Sequence, residues 1–217
     1  MIDDFSGSVE TIAGIADSLA PFGKASNFYP GLRRILTKQD TAAFAYVDRA
    51  CREATKFVAG AFGAVGFNLI EASFSMVTTR PSDLVVPQRA PHFDSVHDSY
   101  VALLHYLRVP EGTGTAFFRQ RSTGIEFVTP DNADRFVEAA KDEVPTLPDD
   151  VGYIGGSNRF FEQIGAVEAV PDRLLIYQGS LLHSGIIPPD MAFSDDPRTG
   201  RLTANFFIQV QRNPSDA

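Results

Sequence analysis

The first residues of the chain place apolar side chains at a helical period. Val9, Ile12, Ile15 and Leu19 recur every three or four positions, and Ser8 stands before them as a candidate N-cap. This spacing predicts an amphipathic helix.

A second and stronger helical pattern begins at Asp40. Its apolar stripe consists of Phe44, Val47, Cys51, Ala54 and Val58, and it ends near Gly60 and Gly63. We interpret the stripe as core-facing. Cys51, which lies within it, is therefore interpreted as a small buried apolar group and not as a nucleophile.

From residue 70 the hydrophobic period changes to two. Ile70, Ala72, Phe74 and Met76 alternate with polar residues, which is typical of a half-buried strand. Similar signals predict further strands at 89–94, 100–109, 115–121, 173–178, 181–187 and 201–211. One helix interrupts them, with Thr129 as its predicted cap. Many short strands behind helices predict a mainly β protein, an antiparallel double-sheet barrel covered by helices.

Length and composition limit the alternatives. At 217 residues the chain fits one domain, which we divide into a helical N-terminal cover (1–66) and a β core (67–213).

The net charge of −8 disfavours binding to nucleic acid or anionic lipid, and the acidic runs at 148–150 and 194–197 are interpreted as solvated turns. No apolar run approaches the ~20 residues of a membrane helix, and the acidic start is unlike a secretory signal, so we expect a cytoplasmic protein. A single cysteine excludes an internal disulfide and a thiolate zinc cluster.

Three residues form a candidate metal site. His92 and Asp94 are two positions apart, so on a strand both side chains point to one face with Cα atoms ~6.5–7 Å apart. His183 lies on a later apolar strand, where a histidine without a partner would be costly. Two imidazoles and one carboxylate form the facial ligand set that leaves iron open positions. Of the other histidines, His97 is expected in an exposed loop and His105 as a hydrogen-bonded core or supporting residue.

Arg201 is a candidate binding site for an acid. It shares a strand face with Thr203 and Asn205, opposite an apolar face, and a guanidinium on an inward face requires an anion. The alternative is an edge arginine that pairs with a surface acid such as Asp195 or Asp196.

These residues together resemble the 2-oxoglutarate/Fe(II)-dependent dioxygenases, especially the prolyl-hydroxylase-like branch, over residues 70–211. The resemblance is carried by His92-Phe93-Asp94, by 103–107 followed by the glycine turn and Thr-x-Phe of 112–117, by 172–177 before His183, and by the opening 2–5. One departure concerns Arg201, which follows His183 by 18 residues where about ten are usual. We interpret the insertion as a lengthened hairpin loop, with Arg198 as the substitute if the register differs.

The resemblance implies a double-stranded β-helix, a jelly-roll or cupin-like fold, and an oxidoreductase. His92, Asp94 and His183 would hold Fe(II), while Arg201 would bind the distal carboxylate of 2-oxoglutarate, aided by Tyr106 and Thr203. Dioxygen would be the second cosubstrate. Because related halogenases lack the carboxylate of Asp94, its presence favours a hydroxylase or a related oxidation.

The sequence leaves the substrate open between a small molecule and a peptide or protein side chain, and it also leaves a homodimer open. Candidate substrate loops are 95–99, 155–161 and 188–199, and Arg119 and Arg121 on one strand are further candidates. Two other interpretations compete with an enzyme. One is a non-catalytic cupin-like module that binds metal or ligand. The other is an interaction protein in which His92, Asp94 and His183 do not converge.

Overall fold

The computed structural model describes residues 1–25, 28–148 and 152–213. Its helices are α1 (Val9–Ser18), α2 (Thr41–Phe62) and α3 (Ala133–Glu143), with short 3-10 turns at Pro81–Asp83, Val86–Arg89 and Val144–Thr146. Its strands are β1 (Gly23–Lys24), β2 (Gly31–Ile35), β3 (Gly66–Val77), β4 (Tyr100–Arg108), β5 (Gly114–Gln120), β6 (Phe161–Glu168), β7 (Leu174–Gln178), β8 (His183–Ile186) and β9 (Leu202–Gln211). None of the described helices combines the length and the hydrophobicity needed to cross a lipid bilayer.

The strands form two antiparallel sheets. The large sheet has the order β1-β2-β3-β9-β4-β7, and the small sheet has the order β6-β5-β8. In the large sheet Ser75 pairs with Thr203, which pairs in turn with Tyr106. This register places polar side chains of three neighbouring strands on one face. The predicted mainly β class with antiparallel sheets is confirmed.

Each sheet buries one face under helices. Helices α1 and α2 cover the large sheet, where Ile12 and Val47 pack with Phe74, Leu103 and Phe206 in one core cluster. Helix α3 covers the small sheet through a second cluster, in which Phe136 packs with Phe118, Phe161 and Leu182. The opposite faces of the two sheets are turned towards each other, since Leu104 and Tyr106 of β4 pack with Phe117 of β5.

The polar face of β3 is not a solvent face. Ser73 and Ser75, which alternate with the apolar residues of that strand, are fully buried on the side that faces the small sheet. The hydrophobic alternation therefore predicted the strand correctly. The polar face of that strand is buried because the small sheet lies over it.

Two β-bulges explain two differences between the predicted and the observed strands. The register of β3 against β9 shifts between Leu69 and Glu71, and Ile70 is 53 % exposed instead of buried. Strand β6 was not predicted, because its pairing with β5 skips Ile164 and the hydrophobic alternation is broken there. The predicted strand at 89–94 is reduced to one isolated bridge between His92 and His183.

The N-terminal segment 1–66 is not wholly helical, because it contributes β1 and β2 to the large sheet. Helix α2 ends as predicted at Gly63, which adopts the left-handed conformation with φ of 61°. Helix α3 begins at Ala133, later than predicted, since Asn132 folds back to accept a hydrogen bond from the Thr129 amide. The acidic turn predicted at 148–150 lies outside the described residues except for its first position.

Candidate functional site

A cavity of about 520 Å³ lies between the two sheets. Four alternate residues line it from the large sheet, one directly before β9 and three on β9: Arg201, Thr203, Asn205 and Phe207. His92, Asp94 and His183 line it from the opposite side. The fold thus brings the predicted metal residues and the predicted acid-binding arginine to one cavity.

Backbone hydrogen bonds hold the two histidines side by side. The amide of His92 donates to the carbonyl of His183 at 2.9 Å, and the amide of His183 donates back at 2.8 Å. Their rings are 4.4 Å apart between centroids. This single bridge joins the loop before β4 to the start of β8, so residues 91 positions apart in sequence present their imidazoles together.

Asp94 is positioned by a close approach to Gly179. Its amide donates to the Gly179 carbonyl at 2.7 Å. A Cβ atom at position 179 would lie 2.7 Å from Cδ1 of Tyr100 and 3.3 Å from Cβ of Asp94. Only glycine therefore lets the Asp94 loop lie so near to the end of β7.

The three side chains converge on one point. One ligand atom from each of His92, Asp94 and His183 lies within 4.8 Å of the others. The Nε2 atom of His183 is 3.5 Å from Oδ2 of Asp94, and Nε2 of His92 is 3.9 Å from Oδ1. Oδ2 of Asp94 is buried and accepts no hydrogen bond from the described residues. The competing interpretation, in which these three residues do not converge, is therefore wrong.

The protonation of both histidines favours metal binding. Burial lowers the pKa of His183 to about 4, and its side chain is only 6 % exposed. Its Nδ1 donates to the Leu181 carbonyl at 2.7 Å, which leaves the Nε2 lone pair directed towards Asp94. Burial and the adjacent His183 ring also lower the pKa of His92, although solvent moderates this shift because 58 % of the His92 side chain is exposed.

The carboxylate of Asp94 lacks compensation for its burial. Burial raises its pKa, while His92 and Arg33 lower it in part. A buried carboxylate oxygen without a hydrogen bond is unfavourable unless a cation neutralises it. This orphaned oxygen, next to two neutral imidazoles, fits a divalent metal ion.

Arg201 lines the cavity and is only 4 % exposed. Its Nε is buried without a hydrogen bond, and its guanidinium forms no ion pair within the described residues. The neighbouring Thr203 is also buried and lines the cavity. A buried guanidinium in this state requires an anionic partner, so the surface pairing with Asp195 or Asp196 is wrong.

Tyr106 supports Arg201 from behind. The guanidinium carbon lies 5.8 Å from the centre of the Tyr106 ring, a cation–π contact. The fully buried hydroxyl of Tyr106 bonds Oγ1 of Thr115 at 2.7 Å, and Thr115 is the residue of this pair that lines the cavity. The direct role predicted for the Tyr106 hydroxyl stays a prediction.

The other sequence expectations have mixed outcomes. His97 is exposed, as predicted. His105 is a satisfied core histidine, since its Nδ1 bonds the Tyr46 hydroxyl at 2.7 Å and its Nε2 bonds Asp172 at 2.9 Å. Arg198 is exposed in the lengthened loop, so Arg201 is the arginine that this loop delivers to the cavity.

The loops 95–99, 155–161 and 188–199 contribute no lining residue to this cavity among those described, and their contact with a substrate stays a prediction. Arg119 is occupied by Glu126 and Glu162, while Arg121 donates to the carbonyl of Asn158 at 3.0 Å. Both arginines therefore have structural partners outside the cavity.

The polar lining residues that sequence reasoning missed include Arg33, Glu71 and Tyr177. Arg33 lies on β2, a strand whose residues are all partly exposed and which carries no hydrophobic alternation. Tyr177 packs edge-on against His183 with ring centroids 4.7 Å apart, and burial raises its pKa well above the ordinary value. The alternation of Glu71, Ser73 and Ser75 on β3 was the signal that could have identified the polar wall.

Comparison with solved structures identifies the fold. The non-haem α-ketoglutarate-dependent epimerase SnoN from nogalamycin biosynthesis is similar, with 16 % identity, a TM-score of 0.52, and coverage of 94 % of this chain and 74 % of that one. At this identity the likeness shows a shared fold.

Two further structures match at lower TM-scores. The viral collagen prolyl hydroxylase vCPH from Paramecium Bursaria Chlorella virus-1 has 12 % identity, a TM-score of 0.46, and coverage of 97 % of this chain and 94 % of that one. The Kdo hydroxylase KdoO has 9 % identity, a TM-score of 0.45, and coverage of 81 % and 65 %.

Among curated proteins, none matches the sequence. A family model matches residues 1–208, nearly the whole chain, and its description is a family of unknown function, DUF6445. The protein therefore belongs to the DUF6445 family.

Proposed function

We propose that the protein is an Fe(II)- and 2-oxoglutarate-dependent oxygenase of the hydroxylase type. The observation that carries this proposal is the position of two unsatisfied buried groups in one cavity. Oδ2 of Asp94 lacks a hydrogen-bond partner beside two neutral imidazoles, and Nε of Arg201 lacks one in the same cavity. The first requires a cation and the second an anion, which an enzyme with a metal and a dicarboxylate cosubstrate would supply.

The metal would be held by His92, Asp94 and His183. Nitrogen and carboxylate donors in this ratio suit Fe(II), and three protein ligands leave further positions for a cosubstrate and dioxygen. A structural zinc site would use four protein ligands, and no fourth candidate joins this group within the described residues. When bound, iron with 2-oxoglutarate and dioxygen supplies oxidation of a C–H bond while 2-oxoglutarate becomes succinate and carbon dioxide.

The chain's own residues would bind and orient the cosubstrate. Arg201 would pair with its distal carboxylate in a region where water is excluded, and the Thr203 hydroxyl lies next to it on β9. Tyr106 would keep the guanidinium in place through its ring. Of the hydrogen-bonded Tyr106 and Thr115, Thr115 would be the residue whose hydroxyl faces the cosubstrate.

The fold is consistent with this assignment. Two antiparallel sheets that face each other around a cavity, with helices outside, support a double-stranded β-helix. The shared fold with an α-ketoglutarate-dependent epimerase supports the same class while leaving the type of oxidation to experiment. Hydroxylation is our proposal because Asp94 occupies the position that would complete the ligand set.

The test is formation of succinate by the purified full-length chain. We expect succinate from 2-oxoglutarate, in several equivalents per chain, which depends on Fe(II) and dioxygen and is lost in Asp94→Ala. A protein that binds metal and 2-oxoglutarate without forming succinate would instead be the non-catalytic cupin-like module. A protein that binds neither would contradict both functions.

A further inference from the structure

The part of the cavity that faces the Asp94 side has its own charged pair, which the proposed metal and cosubstrate sites do not use. Arg201, directly before β9, and Phe207 on β9 are six residues apart, about 20 Å at the rise of a strand. Arg201 lies at the buried end of this row, while Phe207 is partly exposed. A five-carbon diacid that extends from Arg201 to the metal residues would leave the Phe207 end vacant.

Arg33 and Glu71 form the polar wall at this end. Nη2 of Arg33 lies 2.6 Å from Oε1 of Glu71 and 2.8 Å from the Ser73 hydroxyl, and its Nε bonds the Ser75 hydroxyl at 3.3 Å. These contacts hold the guanidinium rigidly while its Nη1 bonds none of the described residues. The side chain of Arg33 is 12 % exposed, so its remaining N–H groups face the cavity and not bulk solvent.

The pair offers one donor and one acceptor to a ligand. Nη1 of Arg33 is available to an oxygen anion, and Oε2 of Glu71 has no hydrogen bond within the described residues. Because the two charges cancel, the wall favours a ligand that carries both signs over a simple anion. A neighbouring amide, Asn205, lines the same part of the cavity.

An apolar border lies beside this pair. Tyr100 and Phe207 stack with ring centroids 5.5 Å apart, and both line the cavity. Ile70, displaced outwards by the β3 bulge, extends the apolar surface to the rim. Tyr100 also contacts the Gly179 turn that positions Asp94. An apolar group held against these rings would therefore lie close to the metal residues.

From this arrangement we infer that the Arg33–Glu71 wall binds the substrate, and that the substrate is a free α-amino acid with an apolar side chain. Arg33 binds its carboxylate, Glu71 binds its ammonium group, and the Tyr100–Phe207 pair contacts the side chain. The cavity volume of about 520 Å³ lies within the range of small-molecule sites and holds such a molecule together with a five-carbon cosubstrate. The inference rests on the proposed function, because it names the substrate class of the same site.

The experiment is calorimetric titration of the full-length chain, loaded with Mn(II) and 2-oxoglutarate without oxygen, with each of the twenty L-amino acids at millimolar concentrations. We expect one or more apolar amino acids to bind. Arg33→Met and Glu71→Gln should weaken this binding by at least tenfold and leave the affinity for 2-oxoglutarate unchanged. Arg34→Met is the matched control, since Arg34 lies on the same strand and pairs with Asp40 outside the cavity.

The ligand itself gives a second test that needs no variant. The N-acetyl and carboxamide derivatives of the bound amino acid should each bind at least tenfold more weakly to the wild-type chain. Failure of all twenty amino acids to bind a chain that does bind Mn(II) and 2-oxoglutarate would overturn the inference alone. Equal binding by the N-acetyl derivative, or by Arg33→Met, would overturn it as well. If the chain binds neither Mn(II) nor 2-oxoglutarate, the proposed function fails first, and this inference fails with it.

Discussion

Replacing Arg201 with methionine separates its binding role from its effect on stability. Methionine retains much of the side-chain volume and removes the charge. In the absence of ligand, Arg201 is a buried guanidinium whose Nε has no partner, which is a destabilising state. We therefore expect the melting temperature of the ligand-free variant to equal or exceed that of the wild type.

The same substitution should have the opposite effect on 2-oxoglutarate binding. Each hydrogen bond to a charged group contributes about 1.5–3 kcal/mol. A carboxylate bound through two guanidinium N–H groups in this buried setting would thus lose about 3–6 kcal/mol. Since about 1.4 kcal/mol corresponds to a factor of ten, the affinity should fall at least ~100-fold.

The assay is calorimetric titration of 2-oxoglutarate into the Mn(II)-loaded chain, combined with thermal denaturation of the ligand-free chain. Arg198→Met is the control, because Arg198 is exposed and its neighbour Asp196 is its partner. An unchanged 2-oxoglutarate affinity in Arg201→Met would show that the acid-binding assignment is wrong. A large loss of stability in the ligand-free variant would show that the guanidinium has a stabilising partner other than the Tyr106 ring.

Two further predictions concern residues that organise the fold around the site. Burial alone would raise the pKa of Asp172, but hydrogen bonds from the N-terminal segment and a core histidine lower it, so its stabilisation is present above pH ~4 and disappears as the pH falls through the lowered value. Asparagine tolerates the local φ of 64°, so Asp172→Asn should lower the free energy of unfolding at pH 7 by about 2–4 kcal/mol through lost hydrogen bonds. In acid denaturation, the difference in stability between this variant and the wild type should shrink below pH 4. A difference that stays constant with pH would contradict the assignment of a charged Asp172. Gly179→Ala should displace Tyr100 and Asp94 and weaken Mn(II) binding at least tenfold in calorimetry. Gly155→Ala is the control, because an added Cβ at that position meets no atom within 4 Å. Equal Mn(II) affinities of the two variants would contradict the close approach of Gly179 to Asp94.

The metal residues could be found from the sequence because their chemistry and their spacing agree. His92 and Asp94 lie two positions apart in an extended segment, and His183 interrupts an apolar strand where a histidine needs a partner. Arg201 could be found for a similar reason, as a charge on an inward strand face. In each case the local pattern identified a candidate, and the resemblance to a known family gave that candidate its expected role.

The remaining features depend on contacts between distant segments. The bulge at Ile70 turns an apolar residue outwards, and the bulge at Ile164 conceals β6, because a single inserted residue reverses the alternation on which the prediction relies. Arg33 joins the cavity because the short strand β2 adds to the edge of β3, and its partial exposure gives no hydrophobic signal. Neither a bulge nor an edge pairing is encoded in local periodicity.

The central claim is that two imidazoles and one carboxylate bind a single ferrous ion together with 2-oxoglutarate. Anaerobic titration of the full-length chain with Fe(II), followed by 2-oxoglutarate, tests it through the visible charge-transfer absorption of an iron–2-oxoglutarate chelate. The account predicts saturation at one Fe(II) per chain, and complete loss of the absorption in His92→Ala, Asp94→Ala and His183→Ala variants that keep the wild-type circular dichroism spectrum. A folded wild-type chain that shows no such absorption, or three variants that retain it, would contradict the account.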